Sequence, residues 1–203
     1  MNLSSKLVAG IAGAATLFAA APAFAVSVVN AKRVEITSAI PDWLQIAEVE
    51  AYEFGTLLNV AASANGGVAT STGYGYGGEP SGAIDGVIPS GYVGPDVFHS
   101  DTFGAGEMLT ITFASATDLA SLKIFGVMDG GAPRNFFQYR IYNAGNDLLA
   151  QGQLDSRINS SDEVFFDAPA VGGIPEPSTW AVMILGFGAA GAALRSRRRL
   201  AAA

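Results

Sequence analysis

His99 is the only histidine in this 203-residue chain, so any histidine-based proton transfer has to run through it. Asp96, Ser100 and Asp101 are its neighbours in sequence, which says nothing yet about a Ser-His-Asp geometry. The chain has neither a Gly-x-Ser-x-Gly elbow nor a His-Glu-x-x-His pair. It has no cysteine, which excludes thiolate nucleophiles, thiolate zinc sites and disulfides together. Carboxylates are plentiful, but a glycosidase pair needs a separation of about 5–9.5 Å in a cleft, which spacing along the chain does not supply. More specific is the turn at Asp85. Gly82 and Gly86 flank it, and such a turn can offer a hard cation both a carboxylate and inward-pointing carbonyls. Arg134 brings planar paired donors suited to hydroxyls or carboxylates, and tyrosines such as Tyr74 and Tyr92 bring faces on which a sugar ring can stack. Tyr74 lies in the glycine-rich run 72–78, which reads as a mobile loop.

The charge distribution separates the elements that position these groups from the two ends. Residues 26–174 hold six basic and 17 acidic residues, a net charge of −11, and the remaining five basic residues lie outside them. A nucleic-acid interface needs a basic face, so that class is excluded. Residues 1–25 have the layout of a secretory signal peptide: Lys6, then an apolar run from Leu7, then Ala23-Phe24-Ala25 as a small-x-small cleavage site. Cleavage after Ala25 would leave Val26 as the first residue. At the other end, Pro175-Glu176-Pro177 precedes Trp180, an uncharged run to Leu194, and the cluster Arg195, Arg197, Arg198 and Arg199. The run is 15 residues long, short of the ~20 that span a bilayer comfortably, and it is rich in glycine and alanine. Trp180 suits the outer interface and the arginines the cytoplasmic one.

This order of Pro-Glu-Pro, Trp-led helix and arginine cluster over 175–203 resembles the PEP-CTERM sorting signal. The resemblance implies an exosortase that recognises the motif and cuts near it. It also implies a transient inner-membrane intermediate, and release to the envelope or extracellular matrix of a Gram-negative, exopolysaccharide-producing, biofilm-forming bacterium.

Between the two signals the pattern is β throughout, with no amphipathic helix of ten residues or more. Alternation predicts strands over 34–37, 44–52 and 109–113. Apolar runs predict further strands at 122–127, 136–142, 148–152 and 164–166, and Asn143–Asp147 reads as a hairpin turn. Six to eight short strands between turns predict an all-β sandwich over 26–168, joined by the linker 169–174 to the sorting signal.

The segments Leu44–Tyr52, Ala69-Thr70-Ser71, Ala83-Ile84-Asp85-Gly86, Phe98-His99, Arg134-Asn135-Phe136 and Tyr139–Tyr142 resemble, in that order, the motifs of discoidin (coagulation-factor type C) domains. The family's tryptophan-led step and its common disulfide are absent. The implied fold is a galactose-binding-like jelly roll. The implied metal site is a structural calcium held by Asp85 and Glu48. The implied ligand loops, at one end of the barrel, carry His99, Arg134, Asn135, Tyr92 and Tyr74. The expectation is a non-catalytic domain that binds carbohydrate, with exopolysaccharide as its partner. The competing expectations are a matrix protein that self-associates without a sugar and, behind it, a surface hydrolase.

Overall fold

The structure, a computed structural model, describes residues 26–169 apart from Ser90, Tyr92 and Ala105, together with 183–185 and 187. Among these residues the strands are β1 (Val28–Ser38), β2 (Gln45–Ile46), β3 (Glu48–Glu53), β4 (Val68–Ser71), β5 (Phe98–His99), β6 (Met108–Phe125), β7 (Phe136–Asn143), β8 (Leu148–Asp155) and β9 (Ser161–Phe165). Helical backbone within the body is limited to short 3-10 segments, Ser63–Asn65, Pro80–Ala83 and Asp129–Arg134. The all-β expectation holds.

The sheet is built on β6. Its first part pairs with β1, from Thr37↔Met108 to Arg33↔Thr112, and on its other edge with β4. Its last part pairs with β3 and β9, with Leu122 opposite both Ala51 and Val164. Between these parts the side chains of 114–116 are exposed and the strand changes neighbours. β7 continues from β1, and β8 closes that edge. Two sets of strands thereby enclose one core. Val34, Ile36, Leu109, Ile111, Phe113 and Phe137 meet Val49, Ala51, Leu122 and Ile124 there, all at most 1% exposed. Burying large side chains on this scale supplies the main favourable term in folding.

Several strands differ from the sequence reading. β1 begins at Val28 where the pattern predicts 34–37, β8 runs on to Asp155, β9 is Ser161–Phe165 rather than 164–166, and the pattern predicts neither β4 nor β5. Two further differences change the topology. The segments 109–113 and 122–125 belong to one 18-residue strand, which ends before Gly126 and Val127. The intervening residues 114–121, Ala-Ser-Ala-Thr-Asp-Leu-Ala-Ser, contain no glycine or proline to break it. Conversely, 44–52 is two strands. The ladder is interrupted at Ala47, whose N–H donates to the Phe125 carbonyl. β2 therefore pairs with β5 while β3 pairs with β6. A one-residue slip exchanges the faces of a strand. Leu44 through Val49 are consequently buried without alternation, and Glu48 is carried inside. The predicted hairpin at 143–147 forms: Asn143 Oδ1 accepts from Gly145 N at 2.8 Å and Asp147 N at 3.0 Å. Asp167 N donates to Val26 O at 3.2 Å, so the body begins and ends at one place.

Candidate functional site

The short β2–β5 pair sets one end of the body. Gln45 lies opposite His99 and Ile46 opposite Phe98. Just beyond the pair, Leu44 N donates to Ser100 Oγ at 3.1 Å and Ser100 N to Leu44 O at 3.0 Å. This doubled tie fixes where Trp43 leaves the strand. From the other side comes the loop 72–78. It is docked: Gly75 N donates to His99 O, and Gly78 N to Gly75 O, both at 2.9 Å. A Cβ at Gly78 would lie 2.8 Å from Val97 O and 2.9 Å from His99 N, so only glycine permits this approach. Tyr76, at φ 58°, is in the left-handed region, which disfavours a side chain by ~1 kcal/mol.

That backbone brings four rings together. The Tyr76 centroid is 4.6 Å from His99 and 5.3 Å from Trp43, edge to face, and Trp43 is 5.3 Å from His99 and 6.1 Å from Phe103. Tyr76 and Phe103 are 61% and 62% exposed, whereas His99 is buried beneath them. The result is an open aromatic surface with a histidine floor. His99 Nδ1 faces the Ser100 carbonyl at 2.7 Å and donates to it. Burial pushes the His99 pKa down, and the nearby Arg134 charge adds to this against the opposing hydrogen bond, so the ring stays neutral at pH 7. Ser100 Oγ is itself engaged by Thr102 O at 2.9 Å.

A polar rim borders the rings. Arg134 pairs with Asp42 through Nε at 3.2 Å and donates from Nη1 to Gln45 Oε1 at 3.1 Å. Of the residues singled out from sequence, His99 and Arg134 thus meet at this end. Asn135 does not reach the surface. It is fully buried, its Nδ2 donates to Val127 O at 2.7 Å, and its backbone carbonyl accepts from Ser156 N at 2.8 Å, while its Oδ1 has no partner among the described residues. It braces the turn that carries Arg134. Tyr74 is exposed, with no ring contact among the described residues, and Tyr92 lies outside them. Sequence reading missed Trp43, Tyr76 and Phe103. The available signals were Asp42-Trp43 directly before a strand and a tyrosine between Gly75 and Gly77.

The second expected pair is also brought together. Glu48, 1% exposed, accepts from Gly86 N at 3.3 Å on each carboxylate oxygen, and Asp85 Oδ1 accepts from Val87 N at 2.8 Å. Burial is the main reason that the Glu48 pKa is pushed from 4.5 up to about 8, with the adjacent Asp85 and Glu50 charges adding to it. A buried carboxylate beside another carboxylate is what a hard cation would neutralise, and the residues fit one in that respect. No cluster of three or more Asp, Glu, His or Cys side chains occurs among the described residues, so a calcium here would draw its other oxygens from backbone carbonyls and water. Without calcium, Glu48 binds its proton more tightly folded than unfolded. Its contribution is complete below about pH 4.5 and is lost as pH rises through about 8. Melting temperature in EDTA should fall across that window in the parent and stay flatter in Glu48→Gln, which cannot ionise. Parallel curves would contradict the burial argument.

The signal-peptide residues Ala23 and Ala25 lie outside the described residues, as do Pro175, Glu176, Pro177, Trp180, Arg195, Arg197, Arg198 and Arg199. Residues 183–185 and 187 are helical, with Ile184, Leu185 and Phe187 about 70% exposed. Among the described residues no helix is long and apolar enough to cross a membrane. No curated protein and no solved structure matches the chain. Residues 173–199 match the PEP-CTERM protein-sorting motif, which marks the chain as an exported protein processed by an exosortase.

Proposed function

We propose that the exported body is a non-catalytic, discoidin-like saccharide-binding domain, delivered by the exosortase route to the cell envelope or the exopolysaccharide matrix. The observation that carries this reading is the open surface of Trp43, Tyr76 and Phe103 over a buried neutral His99. Aromatic faces stack on the apolar C–H face of a pyranose ring, and adjacent polar groups orient its hydroxyls. The Arg134–Asp42–Gln45 rim supplies donors and acceptors beside the rings, already held in place. The left-handed backbone at Tyr76 further supports it, because strain that persists at a surface site suggests a functional demand. A glycan array probed with the full chain tests the reading. Signal on a defined saccharide class that is lost in Trp43→Ala is expected, and no signal on any class would overturn it.

In this reading calcium braces the ligand end by tying β3 to the loop at Asp85, through Glu48 and Asp85. Asp85→Ala should lower the melting temperature by several degrees with calcium present and leave it unchanged in EDTA. Equal curves for the parent with and without calcium would remove the metal.

A second reading, self-association without a sugar, draws on β8. This strand has a neighbour on one side alone among the described residues, and its sequence Leu-Leu-Ala-Gln-Gly-Gln-Leu-Asp has no charge before Asp155. Uncharged open edges are templates for strand addition. Concentration-dependent oligomers by light scattering, together with a silent array, would favour it.

A further inference from the structure

The outer face of β7 and β8 carries a groove of about 280 Å³, lined by Gln138, Tyr139, Arg140, Gln151, Gly152 and Gln153. The register explains its shape. Gln138 is opposite Gln153 and Arg140 opposite Gln151, with Tyr139 and Gly152 between them. Tyr139 points inward and is nearly buried, and Gly152 faces the same way, its missing Cβ leaving room for the Tyr139 ring on the inner face. The floor is therefore backbone, and the walls are three amides and one guanidinium on a rigid two-strand ladder.

None of these four side chains makes a hydrogen bond or ion pair among the described residues, so their donors and acceptors all face outward. For Arg140 this is unusual in the body. Lys32 is tied to the Phe113 and Ala114 carbonyls, Arg33 to Glu35, Arg134 to Asp42 and Arg157 to Asp155, and Lys123 lies over the Phe125 ring. Arg140 is the remaining basic residue of the six. Its cross-strand neighbour on β1 is Glu35, already engaged by Arg33 at 3.0 Å. Asp155, further along the face, is engaged by Arg157 at 2.6 Å. An unpaired guanidinium in a body of net charge −11 is a local site for an anion, with geometry suited to a carboxylate taken by two parallel N–H groups. Amides beside it bond to hydroxyls as either donor or acceptor.

We propose that this groove is a second saccharide site, specific for an acidic sugar. Arg140 takes the uronate carboxylate, and Gln138, Gln151 and Gln153 take ring hydroxyls. The inference shares with the proposed function the premise that the body handles saccharides, but uses a different surface and a different chemistry. Long-range repulsion from the acidic body is screened beyond about 8 Å at physiological ionic strength, so the local cation decides. Two saccharide contacts on one domain would let a single molecule bridge two glycan chains.

Side-chain amide resonances of the ¹⁵N-labelled full chain in detergent, titrated with oligomannuronate and with neutral cello-oligosaccharide, read the groove directly. Oligomannuronate should shift the amides of Gln138, Gln151 and Gln153, and neutral oligomer should leave them in place. Arg140→Gln should weaken the uronate interaction at least tenfold at unchanged melting temperature, and Gln151→Ala should weaken it several-fold. Trp43→Ala should leave these shifts intact, which separates the groove from the aromatic end. The proposal is overturned if the three amides do not respond, if the neutral oligomer moves them equally, if Arg140→Gln binds like the parent, or if Trp43→Ala abolishes the response.

Discussion

Trp43→Ala should weaken saccharide binding by about ten- to a hundredfold, the usual consequence of truncating a central aromatic anchor. Trp43 is the ring that touches all the others: Tyr76 at 5.3 Å, His99 at 5.3 Å and Phe103 at 6.1 Å. Its removal therefore takes away a stacking face and also releases the two exposed rings beside it. Tyr76→Gly provides the control for folding. Glycine relieves the left-handed strain at φ 58°, worth ~1 kcal/mol, which offsets the loss of ring contacts of similar size. Its melting temperature should stay near the parent's while binding still falls. Titration by calorimetry on the saccharide found by the array checks both. Undiminished binding in both variants would move the site away from this end of the body.

Replacing Pro175-Glu176-Pro177 with alanines should leave the whole sorting segment on the protein. The matched motif spans 173–199, with the Pro-Glu-Pro step ahead of Trp180 and the arginines behind the apolar run. An exosortase that no longer recognises the step cannot cut near it. The arginine cluster would then hold the segment at the cytoplasmic face. Intact mass of the envelope fraction should rise from a species ending near Pro177 to one that includes Ala203. An unchanged mass would separate the motif from processing.

The sequence carried some of this structure plainly and concealed the rest for identifiable reasons. β7 alternates along its length, β1 does so over Val34–Thr37, and Asn143–Asp147 has turn chemistry, so local pattern sufficed there. The first half of β1 is irregular in register and its burial does not alternate, so 28–33 was missed. The pairing of Glu48 with the Asp85 turn followed from the resemblance to discoidin domains, since 37 positions of separation give no distance. Two features were beyond period counting. Nothing in 44–52 marks Ala47 as the residue where the ladder changes partner, because the interruption is a hydrogen bond to Phe125, more than seventy residues away. The run 114–118 lacks glycine and proline, but period counting does not join it to either flank, since the exposed small and polar residues 114–116 read like a loop. The aromatic surface was hidden for the same kind of reason. Trp43, Tyr76, His99 and Phe103 come from three separate segments, and only the β2–β5 pair and the docked loop 72–78 gather them. Asn135 shows the converse. It stands next to Arg134 in sequence, yet the end of the 3-10 turn sends it into the interior.

The central claim is that the exported body binds saccharide at Trp43, and the chain permits a direct optical test. Trp43 and Trp180 are its two tryptophans, so Trp180→Phe leaves Trp43 as the sole indole emitter. Fluorescence of that variant, titrated with a panel of neutral and acidic oligosaccharides, should change saturably with at least one of them. The same titration should show reduced acrylamide quenching as the ring is covered. Emission and quenching that no saccharide alters would contradict the account at its centre.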